Sequence, residues 1–149
     1  FHFYSGEPDR QAETHQWCTR LDADVAQCAI FDGNGRNAKL IGIEYVVTER
    51  VYMQLPPEEK RLWHSHAYDV KSGAVAAPGL AAVAEHELME RLVRTYGKTW
   101  TTWQVDAGHR VPMGEPQLMM SFTAEGQADA RMLASRDQRL GVSTAGNAR

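Results

Sequence analysis

The stretch "AQCAIFDGNGRNAKLIGIEYVV", residues 26–47, decides the fold. Two apolar runs, 26–31 and 39–47, flank "DGNGRN", whose glycines and asparagines tolerate positive φ. That is the signature of an antiparallel hairpin. In its second run Ile41, Ile43 and Tyr45 share one face, and Gly42, Glu44 and Val46 share the other. Glu44 is therefore a carboxylate in an otherwise apolar strand. Such a group must be paired, hydrogen-bonded, ligating, or on a solvated edge, because a bare buried charge is costly.

Outward from the hairpin, helical patterns dominate. "EPDRQAETHQWCTRLDADV", 7–25, reads as a helix, with Ala12, His15, Cys18 and Leu21 at helical spacing. "TERVYMQLPPEEKRLW" reads as helical on both sides of Pro56-Pro57, which interrupt it, and the second piece starts at Pro57. Residues 65–76 read as extended. "LAAVAEHELMERLVRTYG", 80–97, reads as a helix with a stripe of Leu80, Val83, Ala84, Leu88, Leu92 and Val93, stopped by Gly97. "KTWTTWQVD" and "PQLMMSFT" read as strands, and 126–141 as a last helix ending at Gly141. The tail 142–149 is small and polar and is expected to fray. Hairpin strands mixed with helices predict an α+β fold: a mainly antiparallel sheet with helices packed on it. A length of 149 residues predicts a single domain over 1–149.

Composition narrows the function classes. A net charge of −3 argues against a nucleic-acid partner, where a basic face dominates affinity. The most apolar segment, "GAVAAPGLAAVA", is too short and too interrupted for a transmembrane span. The chain opens at Phe1 rather than methionine, so a targeting signal is expected, if anywhere, in residues upstream of it. Cys18 and Cys28 are too few for a disulfide scaffold or a four-thiolate zinc site. A single bridge between them stays open beside two free thiols, and Cys18 beside His15 stays open as a thiol nucleophile.

The richest chemistry lies in "RLWHSHAYDVKSG", 61–73. On an extended chain His64 and His66 point to one face and can converge on one ion. The bland alternative is one locally bonded histidine and one at the surface. His15 and Glu44 complete a candidate set of three histidines and one carboxylate, which suits a divalent transition metal (Fe, Mn or Zn) with a position open for a small molecule. Tyr68, Lys71 and Asp106 are supporting or acid–base candidates, though Asp106 reads equally as a turn cap. His64 or His66 without metal is a candidate general base. The cupin pattern shares His-x-His, but here Asp69 and Val70 stand where its glutamate is expected. "YGKT", 96–99, lacks the earlier glycine of a P-loop, since position 92 is Leu92, so no nucleotide cofactor is expected. Lys98 reads instead as a cation near a helix end. His86 and Glu90 read as a solvated helix face.

At "GIEYVV", "LWHSHAYDVKSG", "YGKT" and "WQVD…PMGEPQLMM" the chain resembles the oil body-associated protein family of plant seeds, with fungal and bacterial relatives. The resemblance runs from about His2 to Ser143. It implies peripheral association with lipid droplets, keeping them small and separate, in a cytoplasmic setting. An enzymatic activity or a cofactor is not among the properties it implies. His15, Glu44, His64 and His66 fall in matching stretches; His86 and His109 do not. Ala107 and His109 depart from the plant pattern, and the alanine-rich chain is more similar to bacterial or fungal members. Two functions follow as expectations: a metal-binding domain acting on an unknown small molecule, or a non-enzymatic protein at a lipid surface, with a protein partner or as a homo-oligomer.

Overall fold

A computed structural model describes residues 1–149. Eight strands form one antiparallel sheet: β1 (His2–Tyr4), β2 (Glu7–Ala12), β3 (His15–Arg20), β4 (Val25–Phe31), β5 (Leu40–Thr48), β6 (His64–Ser65), β7 (Thr95–Thr101) and β8 (Gln117–Met120). Six helices lie between and after them: α1 (Glu49–Gln54), α2 (Pro57–Lys60), α3 (Ala67–Lys71), α4 (Ala82–Leu92), α5 (Ala130–Leu140) and α6 (Thr144–Asn147). The α+β reading holds, as do the β4–β5 hairpin, the break at Pro56-Pro57 and the stop at Gly141, which adopts φ 64°.

The sheet order is β2-β1-β8-β7-β5-β4-β3, with β6 pairing β7 off that path. β5 pairs the whole of β7, so β8 and β6 share its other edge, β8 at Thr99–Thr101 and β6 at Tyr96–Gly97. β2 and β3 stand at opposite ends of this order, yet only Glu13 and Thr14 separate them. Three peptide steps span at most about 11 Å. The two ends of the sheet must therefore approach each other, and the sheet curls into a nearly closed barrel. Its register sets one continuous rung on the concave face: Cys18, Cys28, Glu44, Thr99, Met119, Tyr4. All but Cys18 are buried. A second core lies outside, where Phe1, Ala74 and Phe122 pack with Phe3, Tyr68, Met132 and Leu133 of the α5 side. Each fully buried side chain of this size contributes about 1.5–3 kcal/mol.

Four expectations are corrected. Residues 7–20 form two edge strands, and Val25 opens β4, where a helix is expected. Their ladder bonds to β1 and β4 override local helical spacing, and Leu21, assigned to an apolar stripe, is exposed. Pro8 is tolerated because β2 is an edge strand. The extended run at 65–76 ends at Ser65, and α3 follows at once. The helix at 80–97 stops at Leu92; Val83 and Leu80 are exposed and Met89 is the residue it buries. Gly97 lies inside β7, and Lys98 beside it meets Glu59 at 2.6 Å rather than a helix end. Finally the tail is tied down. Ser143 caps α6, Thr144 binds Asp137 and Arg136, and the Arg149 N–H donates to the Lys71 carbonyl.

Cys18 and Cys28 form a disulfide between directly paired positions of β3 and β4. No helix is long and apolar enough to cross a membrane.

Candidate metal centre

β1 and β5 are three ladder steps apart, about 14 Å along a flat sheet. The curl brings their inward side chains together. His2 Nε2 donates to Glu44 Oε1 at 3.3 Å. His64 Nε2 donates to the same oxygen at 3.2 Å, and His66 Nε2 lies 3.7 Å from it. Thr99, beside Glu44 on the rung, donates its hydroxyl to that oxygen at 2.6 Å. Three imidazoles and a carboxylate thus share one point, each residue no more than 7% exposed.

Gly97 makes the space. It pairs with His64 on one side and Val46 on the other, directly beneath the cluster. A Cβ there would sit 2.7 Å from Glu44 Oε1, 2.7 Å from His66 Nε2 and 2.9 Å from His64 Nε2.

The back side of two imidazoles is fixed by threonines. His2 Nδ1 is hydrogen-bonded to Thr14 Oγ1 at 3.1 Å. Thr95 gives its own proton to the Leu92 carbonyl, so its oxygen accepts from His66 Nδ1 at 2.8 Å. That fixes Nδ1 as the protonated nitrogen and leaves Nε2 to face the cluster. An outer partner that orients the ligating nitrogen is what metal-binding histidines require. His64 Nδ1 is buried without a partner.

Electrostatics follow from burial and pairing. Burial raises the Glu44 carboxyl, but the hydrogen bonds from His2 and His64 and the nearby His66 outweigh it and hold the group well below the usual carboxylate range. Burial lowers His2 to about 4 despite Glu44. Burial also opposes charge on His66, yet the adjacent Glu44 carboxylate prevails and raises it. Near neutral pH, then, a neutral His2 imidazole faces the Glu44 carboxylate.

His2, Glu44 and His64 offer ligand atoms close enough together for one ion, and His66 stands outside that compact set. Ligand atoms around a tetrahedral ion with bonds of about 2.1 Å stand roughly 3.4 Å apart. The separations from Glu44 Oε1 bracket that value at 3.2 to 3.7 Å. The ligand atoms of His2, Glu44 and His64 all lie within 4.8 Å of one another.

Of the expected ligands, Glu44, His64 and His66 come together; His15 does not. On a strand, positions 15 and 18 point to opposite faces, and His15 pairs with Glu13, which also holds Arg139 of α5. His2 takes its place. Nothing in sequence spacing marks His2; its one signal is a position two residues before the buried Tyr4 in a short strand. Tyr68 packs in the Phe1–Phe122 core. Asp106 accepts from Tyr4 at 2.6 Å and from Arg10 at 2.9 Å, which anchors the loop to β1 and β2. Lys71 ends α3 with its side chain exposed. None of these three hydrogen-bonds to the cluster.

Fold and site together define an α+β protein with a curled antiparallel sheet and a buried histidine–carboxylate cluster on its concave face. The chain belongs to the oil body-associated protein family: the family model described as "Protein of unknown function (DUF1264)" matches residues 1–149. It is 43% identical to Oil body-associated protein 1B of Arabidopsis thaliana over 98% of this chain and 61% of the relative. It is 47% identical to Oil body-associated protein 1A of Zea mays over 96% of this chain and 60% of the relative. Oil body-associated protein 2A of Zea mays is 44% identical over 97% and 58% respectively. The chain spans about three fifths of the length of these curated relatives. No solved structure matches it.

Proposed function

We propose that this chain is a metal-binding domain whose centre is His2, Glu44, His64 and His66. The observation that carries the reading is the convergence of three imidazole nitrogens on one buried carboxylate oxygen above a glycine. The ion is a divalent transition metal: zinc, iron or manganese. Zinc in a tetrahedral sphere of four side chains is closed and acts structurally. Iron or manganese with five or six ligands leaves a position for a small molecule, and the domain is then a metal-dependent enzyme. Elemental analysis of protein purified without a histidine tag separates these cases. Less than a tenth of an equivalent of any transition metal, unchanged by His64→Ala and His66→Ala, sinks the reading.

A second reading is favoured by the convex face. Trp17 is 71% exposed, and with Leu40, Ile43 and Tyr45 it surrounds a shallow depression of about 330 Å³ across β3, β4 and β5. Aromatic and aliphatic side chains gathered on one exposed face suit a lipid surface, which the names of the relatives also suggest. Attachment on this reading is peripheral. Flotation with triacylglycerol droplets tests it. Trp17→Asp should release the protein, and protein that never floats at low salt removes this face as an anchor.

A further inference from the structure

We propose that the Cys18–Cys28 cystine is a redox site, and that its reduction by an external dithiol loosens the His2 side of the metal centre. The inference rests on the metal reading above. Cys18 and Cys28 begin the rung that continues directly to Glu44 and Thr99. Cys28 is buried and is the ladder neighbour of Glu44, whereas Cys18 is exposed on the edge strand β3. A reductant can reach the outer sulfur, and the inner one adjoins the cluster.

β3 connects to the cluster at its other end as well. The residue just before it is Thr14, whose hydroxyl is bonded to His2 Nδ1. As the terminal strand of the sheet order, β3 has a ladder partner on one side only, β4. The disulfide is the covalent tie of that pair, four residues from Thr14, or about 13 Å along the strand. The tie therefore fixes the strand that orients one ligand and borders the strand that carries another.

The step is a thiol–disulfide exchange. A thiolate of the dithiol attacks the Cys18 sulfur, the S–S bond breaks, and Cys28 leaves as a thiolate that takes a proton. The second thiol of the reductant then displaces Cys18 as a thiol and closes its own disulfide. Two electrons and two protons pass to the protein, and the dithiol is oxidised. β3 is then held to β4 by backbone hydrogen bonds alone, and Thr14 fixes His2 less firmly.

The test uses the full chain loaded with cobalt(II) and challenged with excess chelator. Cobalt release is followed by absorbance in three samples: oxidised protein, protein reduced with a phosphine and desalted anaerobically, and Cys18→Ser/Cys28→Ser without reductant. Release at least tenfold faster in the last two supports the inference. Release within twofold in all cobalt-loaded forms overturns it and leaves the metal reading intact. Failure of every form to take up cobalt overturns both. If the double variant does not fold, by circular dichroism, the reduced protein decides. A native sample that yields no free thiol after incubation with dithiothreitol also overturns the inference.

Discussion

Replacing Gly97 by alanine should break the cluster from below. The added methyl would stand 2.7 Å from Glu44 Oε1, 2.7 Å from His66 Nε2 and 2.9 Å from His64 Nε2. Each contact is roughly half an ångström or more too short for carbon against nitrogen or oxygen, set against optimal separations of about 3.5 Å. Gly97 is not at positive φ, so no backbone strain contributes. Overpacking in a buried site costs about 1–3 kcal/mol. Alanine recovers about 0.5–1 kcal/mol of the conformational cost of glycine in a strand. The net loss is about 1–2 kcal/mol, a fall in Tm of about 2–8 °C at this chain length. Cobalt affinity should fall by at least tenfold, because the methyl pushes apart the atoms that must meet. Thermal melts of the metal-free protein and cobalt titration measure the two effects. In a His66→Ala background one collision disappears, and the cost of the methyl should shrink. A Gly97→Ala protein with unchanged Tm and unchanged cobalt affinity would refute the geometry.

Other outcomes follow from the same structure. His64→Ala or His66→Ala should each reduce bound metal below a tenth of an equivalent, while His15→Ala should leave it in place; elemental analysis that shows the reverse would move the centre to β3. His2 is held down to about 4 by burial, against an ordinary 6.5 when unfolded. Between those values the unfolded chain binds the extra proton, so metal-free protein should lose stability as pH falls from 6.5 to 4, by about 3 kcal/mol in total. His66, raised when folded, contributes fully below 6.5 and loses that contribution only as pH rises, so it does not mask this window. His2→Gln should flatten the profile in urea melts, and an unflattened profile would count against a buried neutral His2. Arg136 is buried and donates to Asp137, the Ala74 carbonyl and Thr144. Arg136→Met should cost about 3 kcal/mol and speed hydrogen exchange at residues 144–147; protection that survives would show the tail is held by other contacts.

The parts of the fold legible in the sequence are those whose partners are close along the chain. The β4–β5 hairpin carries its own turn, and Glu44 stands out there as the one carboxylate among apolar residues. His64 and His66 announce each other two positions apart. Residues 7–20 mislead because they are edge strands. With one side exposed they carry no apolar alternation, and the ladder that defines them comes from elsewhere. His15 reads as a ligand because its stretch matches the family, whereas the edge strand turns it to Glu13. Sequence spacing does not reveal His2, because its partner Glu44 lies 42 residues away and only the curl of the sheet unites them. Gly97 reads as a helix stop because a glycine after a helical pattern has that meaning, and the cluster it makes room for is assembled from three other elements. The sequence leaves the disulfide open because pairing requires a register, and the register of β3 is hidden with the strand itself.

The two residues between β2 and β3 have a consequence for the order of folding. The β4–β5 hairpin closes a short loop and can form early. His2, Glu44 and Thr99 meet across separations of 42 and 55 residues, and only after the stretch 7–20 has bridged both ends of the sheet. The cluster is therefore among the last features to assemble. A chain arrested before closure would contain the hairpin and most helices but only Glu44, His64 and His66 of the four clustered side chains. Tight metal uptake during refolding should lag the appearance of secondary structure, so the ion would report completion of the barrel rather than seed it.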